Sequence, residues 1–197
     1  MDEKWLGLIG VGVGAVVVGG KELYFDWKRQ HSNAKYMAIR AVCLLDRYMY
    51  GCADVVQDDG TVQGQPANQD GTHSAQADYP PFPIESLDGD WKSMPQKLMF
   101  DLLSFSSRIE SALGKIAGQA EHAFPPEYEE EFEERQFQFA KLGLKANDIA
   151  DQLRKKHGIS ERPKDEWNPL ESFQRRLDEI TKAREERAER YRLAPNL

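Results

Sequence analysis

The chain opens on an apolar run and then turns amphipathic. From Trp5 to Gly20 no charged side chain interrupts a series of glycines, valines and other apolar residues. As a helix, these roughly 16 residues span about 24 Å, short of a hydrocarbon core of about 30 Å. Extending the span through Leu23, Tyr24 and Phe25, while Lys21 and Glu22 reach for the headgroups, closes the gap. Trp5 at one end and Tyr24 and Trp27 at the other suit the two aromatic belts of a bilayer. The pattern predicts a single N-terminal transmembrane helix, with 1–27 as the membrane anchor.

Past the anchor, apolar residues recur in steps of three and four or their sums: Leu23, Trp27, Ala34, Met37, Ala41, Leu44, Tyr48, Cys52 and Val55. Ala38, Val42, Leu45 and Met49 broaden that stripe, which is the signature of a helix burying a wide face. No proline intervenes, so the anchor is expected to continue into a juxtamembrane helix over 28–56. The rhythm then stops. Between Gln57 and Asp78 the only branched aliphatic residue is Val62, too little apolar surface to offset the entropy of ordering. With the proline-rich Tyr79-Pro-Pro-Phe-Pro83, this predicts a long disordered loop and linker over 57–92. The aromatics of the proline-rich piece are expected to pack on their own domain rather than serve as a docking motif.

Three more helices are predicted over 93–193, and with 28–56 they complete an antiparallel bundle. The first starts at a capping box, Ser93-Met-Pro-Gln96, and carries Leu98, Leu102, Phe105, Ile109, Ala112, Ile116 and Ala120 at heptad spacing. The next follows Phe124-Pro125-Pro126. It places acids in its first turns, where they meet the helix dipole, and shows the stripe Tyr128, Phe132, Phe139, Leu142, Ala146, Ile149 and Leu153. Lys155, Lys156 and Gly158 are its stop signal. The last begins at Asn168-Pro169 and carries Leu170, Phe173, Leu177 and Ile180. Its second half is expected to project into solvent on i,i+4 ion pairs. The fold class is therefore all-α.

Charge changes the picture in two ways. The net charge of −7 argues against nucleic acid as a partner. Lys21, Lys28, Arg29, Lys35 and Arg40 follow the apolar run and only Lys4 precedes it, so the positive-inside rule places the N-terminus out and the body in the cytoplasm. Cys43 and Cys52, about 13 Å apart along one helix, cannot bridge each other and suit a reducing compartment. The alternative, an exported periplasmic domain released near Gly20, lacks the basic n-region of a signal peptide.

Candidate chemistry is sparse. Gly10-Val-Gly-Val-Gly-Ala15 fits a loose dinucleotide fingerprint, but no alternation of strands and helices follows it. The same glycines suit helix association: Gly10 and Gly14 form a G-x-x-x-G, with Gly7 on roughly the same face. His31, His73, His122 and His157 have no metal-ligand spacing, and His157 is expected to serve the dipole at a helix end. No nucleophile, phosphate-loop or redox motif is present, so neither an enzyme nor a cofactor is expected. Glu127, Glu130, Glu131 and Glu134 form the one candidate partner face, against the plainer reading of a solvated acidic surface. The sequence thus points to a single-pass membrane-anchored interaction or scaffold protein. Its partners would be the lipid bilayer and either another protein or a second copy gathered through the anchor. The alternative is a ligand- or ion-sensing helical domain that signals through the juxtamembrane helix.

Overall fold

The computed structural model describes residues 3–124, 126, 128–162 and 167–193, with side chains from residue 24 onward. It is mostly helical, as expected. Among the described residues, five α-helices follow in order: α1 (Glu3–Gln57), α2 (Gln96–Leu103), α3 (Phe105–Ala120), α4 (Glu129–His157) and α5 (Pro169–Leu193). A small antiparallel hairpin, β1 (Thr61–Val62) with β2 (Gln65–Pro66), and two 3-10 turns lie between α1 and α2.

The second half of α1 is the central stave of the bundle. Met37, Ala38, Ala41, Leu45, Tyr48, Met49, Cys52 and Val55 are all buried, so the broad apolar face predicted for this helix is the one it buries. From Tyr24 to Asn33, in contrast, every side chain is exposed, Trp27 included. The helix therefore leaves the bundle as a bare stalk. Among the described residues no helix is long and apolar enough to cross a membrane. The anchor predicted over Trp5–Gly20 falls where side chains lie outside the described residues.

Helix α4 packs along α1, with Phe139, Ala146, Ile149, Ala150 and Leu153 buried. Gly143 admits α5, because a Cβ there would stand 2.5 Å from the Phe173 ring. The C-terminus of α4 closes on Gly158 in the left-handed region, and the Gly158 and Ile159 amides both donate to the Arg154 carbonyl. At the start of α5 the Asn168 side chain accepts from the Leu170 amide, the cap anticipated from sequence.

Three expectations need correction. The segment 57–92 is not a disordered loop. Asp58 is buried at the end of α1, and the two Asp-Gly-Thr repeats form matching turns in which Asp59 and Asp70 accept from the amides and hydroxyls of Thr61 and Thr72. Farther along, Ile84, Leu87 and Met94 enter the core. Phe82 meets Tyr48 and Phe105 edge-on at 5.4 and 4.9 Å. Polar turns and a few anchors replace the apolar density that the composition lacks.

The second correction concerns the helix predicted from Ser93, which is two helices broken at Ser104. There the hydroxyl turns back to the Asp101 carbonyl. The capping box does not form, because Ser93 donates to Asp90 and Pro95 precedes the first turn. Third, the charged half of α5 is not held only by its own i,i+4 pairs. Arg184 and Arg187 reach across to α4, and the helix becomes fully exposed only past Arg187.

Candidate functional site

A groove of about 500 Å³ runs between α3 and α4, with Phe100 of α2 at one lip. Its origin lies in the two helix stripes. Phe105, Ala112 and Ile116 bury one face of α3, while Phe139, Leu142 and Ala146 bury one face of α4. The residues one step around each helix from those stripes then face each other across the seam. At the α2–α3 break and on α3 these are Ser104, Ser107, Arg108, Ser111 and Lys115; on α4 they are Gln138, Lys141 and Lys145. Three serines and Ala112 are too small to fill the space, and Leu142 forms the floor.

The electrostatics of the groove oppose those of the chain. Four cations line it and no carboxylate does, on a protein of net charge −7. Lys145 is held by Asp148 at 2.9 Å, and Lys141 sits over the Phe137 ring. Arg108 and Lys115 make no ion pair among the described residues. Phe100 remains 65% exposed, so an apolar lip stands beside unpaired positive charge. The sequence carried a partial signal in Arg108/Lys115 and Lys141/Lys145, each pair bordering an apolar stripe. That the two borders meet is set by packing.

The residues singled out from sequence do not gather. Gly7, Gly10 and Gly14 lie where side chains are outside the described residues, and so does Glu127. Glu130 is exposed and Glu131 half-buried, whereas Glu134 is buried and turned toward α5. Glu134 accepts from Arg184 and Gln138, both at 2.6 Å, so it is a strut between helices rather than part of an open face. Its neighbour Glu133 accepts from Arg184 at 2.7 Å and Arg187 at 2.6 Å. Burial pushes the Glu133 carboxyl up, but the two guanidiniums outweigh it and hold the group below its usual value.

A second polar cluster lies at the junction of α1 and α4. The Asp58 carboxylate accepts from Arg135 at 3.0 Å and from the Gln76, Ala77 and Gly60 amides. Arg135 also donates to the Ala77 carbonyl and lies between the Tyr79 and Phe132 rings. Burial raises the Asp58 carboxyl; the bonds from Ala77, Gly60, Arg135 and Gln76 more than reverse this and hold it below the usual carboxylate range. The Asp58 and Arg135 side chains are almost fully buried, and the carboxylate's bonds are taken up within the chain, so the cluster ties the end of α1 and the segment after it to α4.

Chemistry elsewhere is muted. Burial raises both the Cys52 thiol and the Tyr48 hydroxyl, which leaves the pair unreactive. His157 is buried with neither ring nitrogen hydrogen-bonded. Burial first, then the charges of His31, Lys156 and Lys35, lower its pKa. It is thus held neutral, contrary to the cationic dipole role expected from its place at the helix end. Among the described residues no group of three His, Cys, Asp or Glu side chains is placed to hold a metal ion. No family model, no curated protein and no solved structure matches the chain.

Proposed function

We propose that this protein is a membrane-tethered helical adaptor. The first part of α1 anchors it, and the bundle holds a protein partner at the cytoplasmic face. The observation that carries this reading is the change along α1. One unbroken helix buries a broad face from Ala34 to Val56, yet presents only exposed side chains from Tyr24 to Asn33. Those ten positions include Tyr24, Phe25 and Trp27, beside Lys28 and Arg29. Exposed large aromatics that touch only neighbours on their own helix, beside exposed cations, suit an interface between headgroups and water, and the uncharged run from Trp5 to Gly20 continues the same helix outward. Gly7, Gly10 and Gly14 would let two anchors approach.

Fractionation and thiol labelling test the tether and its orientation together. The full chain is expected to stay in the membrane pellet through alkaline carbonate extraction. Cys43 is exposed and Cys52 buried. A membrane-impermeant maleimide should therefore miss both in intact cells, label Cys43 after lysis, and reach Cys52 only on unfolding. Release of the chain by carbonate would remove the anchor. Labelling of Cys43 from outside would reverse the orientation.

A further inference from the structure

We infer that the α3–α4 groove receives an amphipathic helix of a protein partner, one whose apolar stripe is flanked by carboxylates. This deepens the partner-binding half of the reading above and rests on it. Charge complementarity selects the occupant. The walls carry Arg108 and Lys115 on one side and Lys141 and Lys145 on the other, with no acid between them. The floor and lip offer Ala112, Leu142 and Phe100 instead of further charge.

A ligand that satisfies both features needs apolar groups down its centre and anionic groups along both edges. A helix with apolar residues at i, i+3/i+4 and i+7 supplies that arrangement. The dimensions agree. Ser104 to Lys115 covers about 16 Å of helix, three turns, and Arg108 and Lys115 stand two turns apart on one wall. Lys141 and Lys145 stand one turn apart on the other. Six of the lining residues (Phe100, Ser107, Arg108, Ser111, Lys115 and Lys141) are exposed, so the groove is open along its length, as a helix requires and a small enclosed ligand does not. Nucleic acid is disfavoured by the overall negative charge and by a single exposed aromatic where base stacking needs several.

The test uses the full chain in non-ionic detergent and a fluorescein-labelled synthetic peptide of roughly 15 residues, about four helical turns. Leucines occupy one face of the peptide and glutamates flank them. Anisotropy is measured against two comparators, the scrambled peptide and one with glutamine for glutamate. The acidic amphipathic peptide should bind at least about tenfold more tightly than either, and more weakly as salt rises. Arg108→Glu with Lys141→Glu should cost about tenfold or more, since complementary charge becomes repulsive. Phe100→Ser, at an exposed position, should weaken binding severalfold, with helical circular dichroism unchanged in both variants.

Equal binding of the scrambled peptide, or indifference to the charge reversal, would overturn the inference. Two other results would do so by naming a different occupant. One is loss of binding to phosphatidylserine vesicles on charge reversal while the peptide titration stays flat. The other is a dimer of the wild-type chain that the same reversal dissolves. A flat titration on a chain that resists carbonate removes the helical partner and leaves the tether; a carbonate-released chain that still binds the peptide does the opposite.

Discussion

The two halves of α4 belong to one helix and do different work. From Phe139 to Leu153 its buried face is apolar and small-residue, and Phe139, Ala140, Leu142, Gly143, Ala146, Ile149 and Ala150 pack against α1, α3 and α5. From Glu133 to Gln138 it is nearly as buried and mostly polar: Glu134, Arg135, Gln136 and Gln138 are all inside. The first half of the helix is held by directional bonds: Arg135 to Asp58, Gln136 to the Asp58 carbonyl and Arg176, and Glu133 and Glu134 to Arg184. Apolar packing tolerates substitutions of similar shape. A buried polar network tolerates few, because each orphaned group is left desolvated. One half of the helix supplies stability, and the other fixes which segments dock against it and in what register.

The largest expected effect comes from breaking the polar half. Arg135→Ala leaves the Asp58 carboxylate buried without its counter-ion and should cost about 3–5 kcal/mol in denaturant unfolding. Replacing both partners, as Asp58→Asn with Arg135→Met, should cost less than the sum of the single changes. A strictly additive cycle would mean that the pair does not act as a unit. In the apolar half, Ile149→Ala should cost about 2–5 kcal/mol through lost burial and the cavity left behind. Should Ile149→Ala prove harmless, the apolar half would not be a source of stability and the contrast between the halves would fail.

Effects that depend on pH come next. A group whose pKa is lowered by folding contributes stability above its ordinary value, and this is lost as pH falls. For His157 the loss should begin below the ordinary histidine value of 6.5. For the carboxylates it should begin lower, below 4.5 at Glu133 and below 3.8 at Asp58. The melting temperature is therefore expected to decline in two stages on acidification, and His157→Leu should remove the first stage alone. A single acid transition in the wild type would show that His157 titrates freely. The smallest effect is expected at Glu130, on the exposed side of the polar half, where Glu130→Gln should change stability by under about 0.5 kcal/mol.

The same contrast explains what was legible in the sequence. Apolar periodicity reported α1 from Ala34 onward, the apolar half of α4, and Phe173 and Ile180 of α5, because burial by the hydrophobic effect leaves a regular trace. The polar half left a misleading one. Six acids in eight positions read as a solvated face, and only the arrival of Arg184 and Arg187 from α5 makes Glu133 and Glu134 interior residues. Such pairs are long-range and aperiodic, so no local pattern encodes them. Asp58 failed to announce itself for the same reason. Its four donors come from Gly60, Gln76, Ala77 and Arg135, and three of these lie in a segment whose composition promised disorder. The groove was half legible: its cations are visible in the chain, but their meeting across α3 and α4 is a product of packing.

The unbroken course of α1 has a further consequence. A helix fixes azimuth as well as distance, since each residue turns the chain by about 100° and advances it about 1.5 Å. With no hinge between the stalk and the central stave, the direction in which the groove looks is set by the residue count upstream of Ala34. One alanine inserted after Asn33 would swing the bundle by about 100° around the stalk axis, while seven would return it to within about 20° of its starting heading and about 10 Å farther out. If the stalk is fixed at its far end, its length is a compass bearing for the bundle, written in residues of helix.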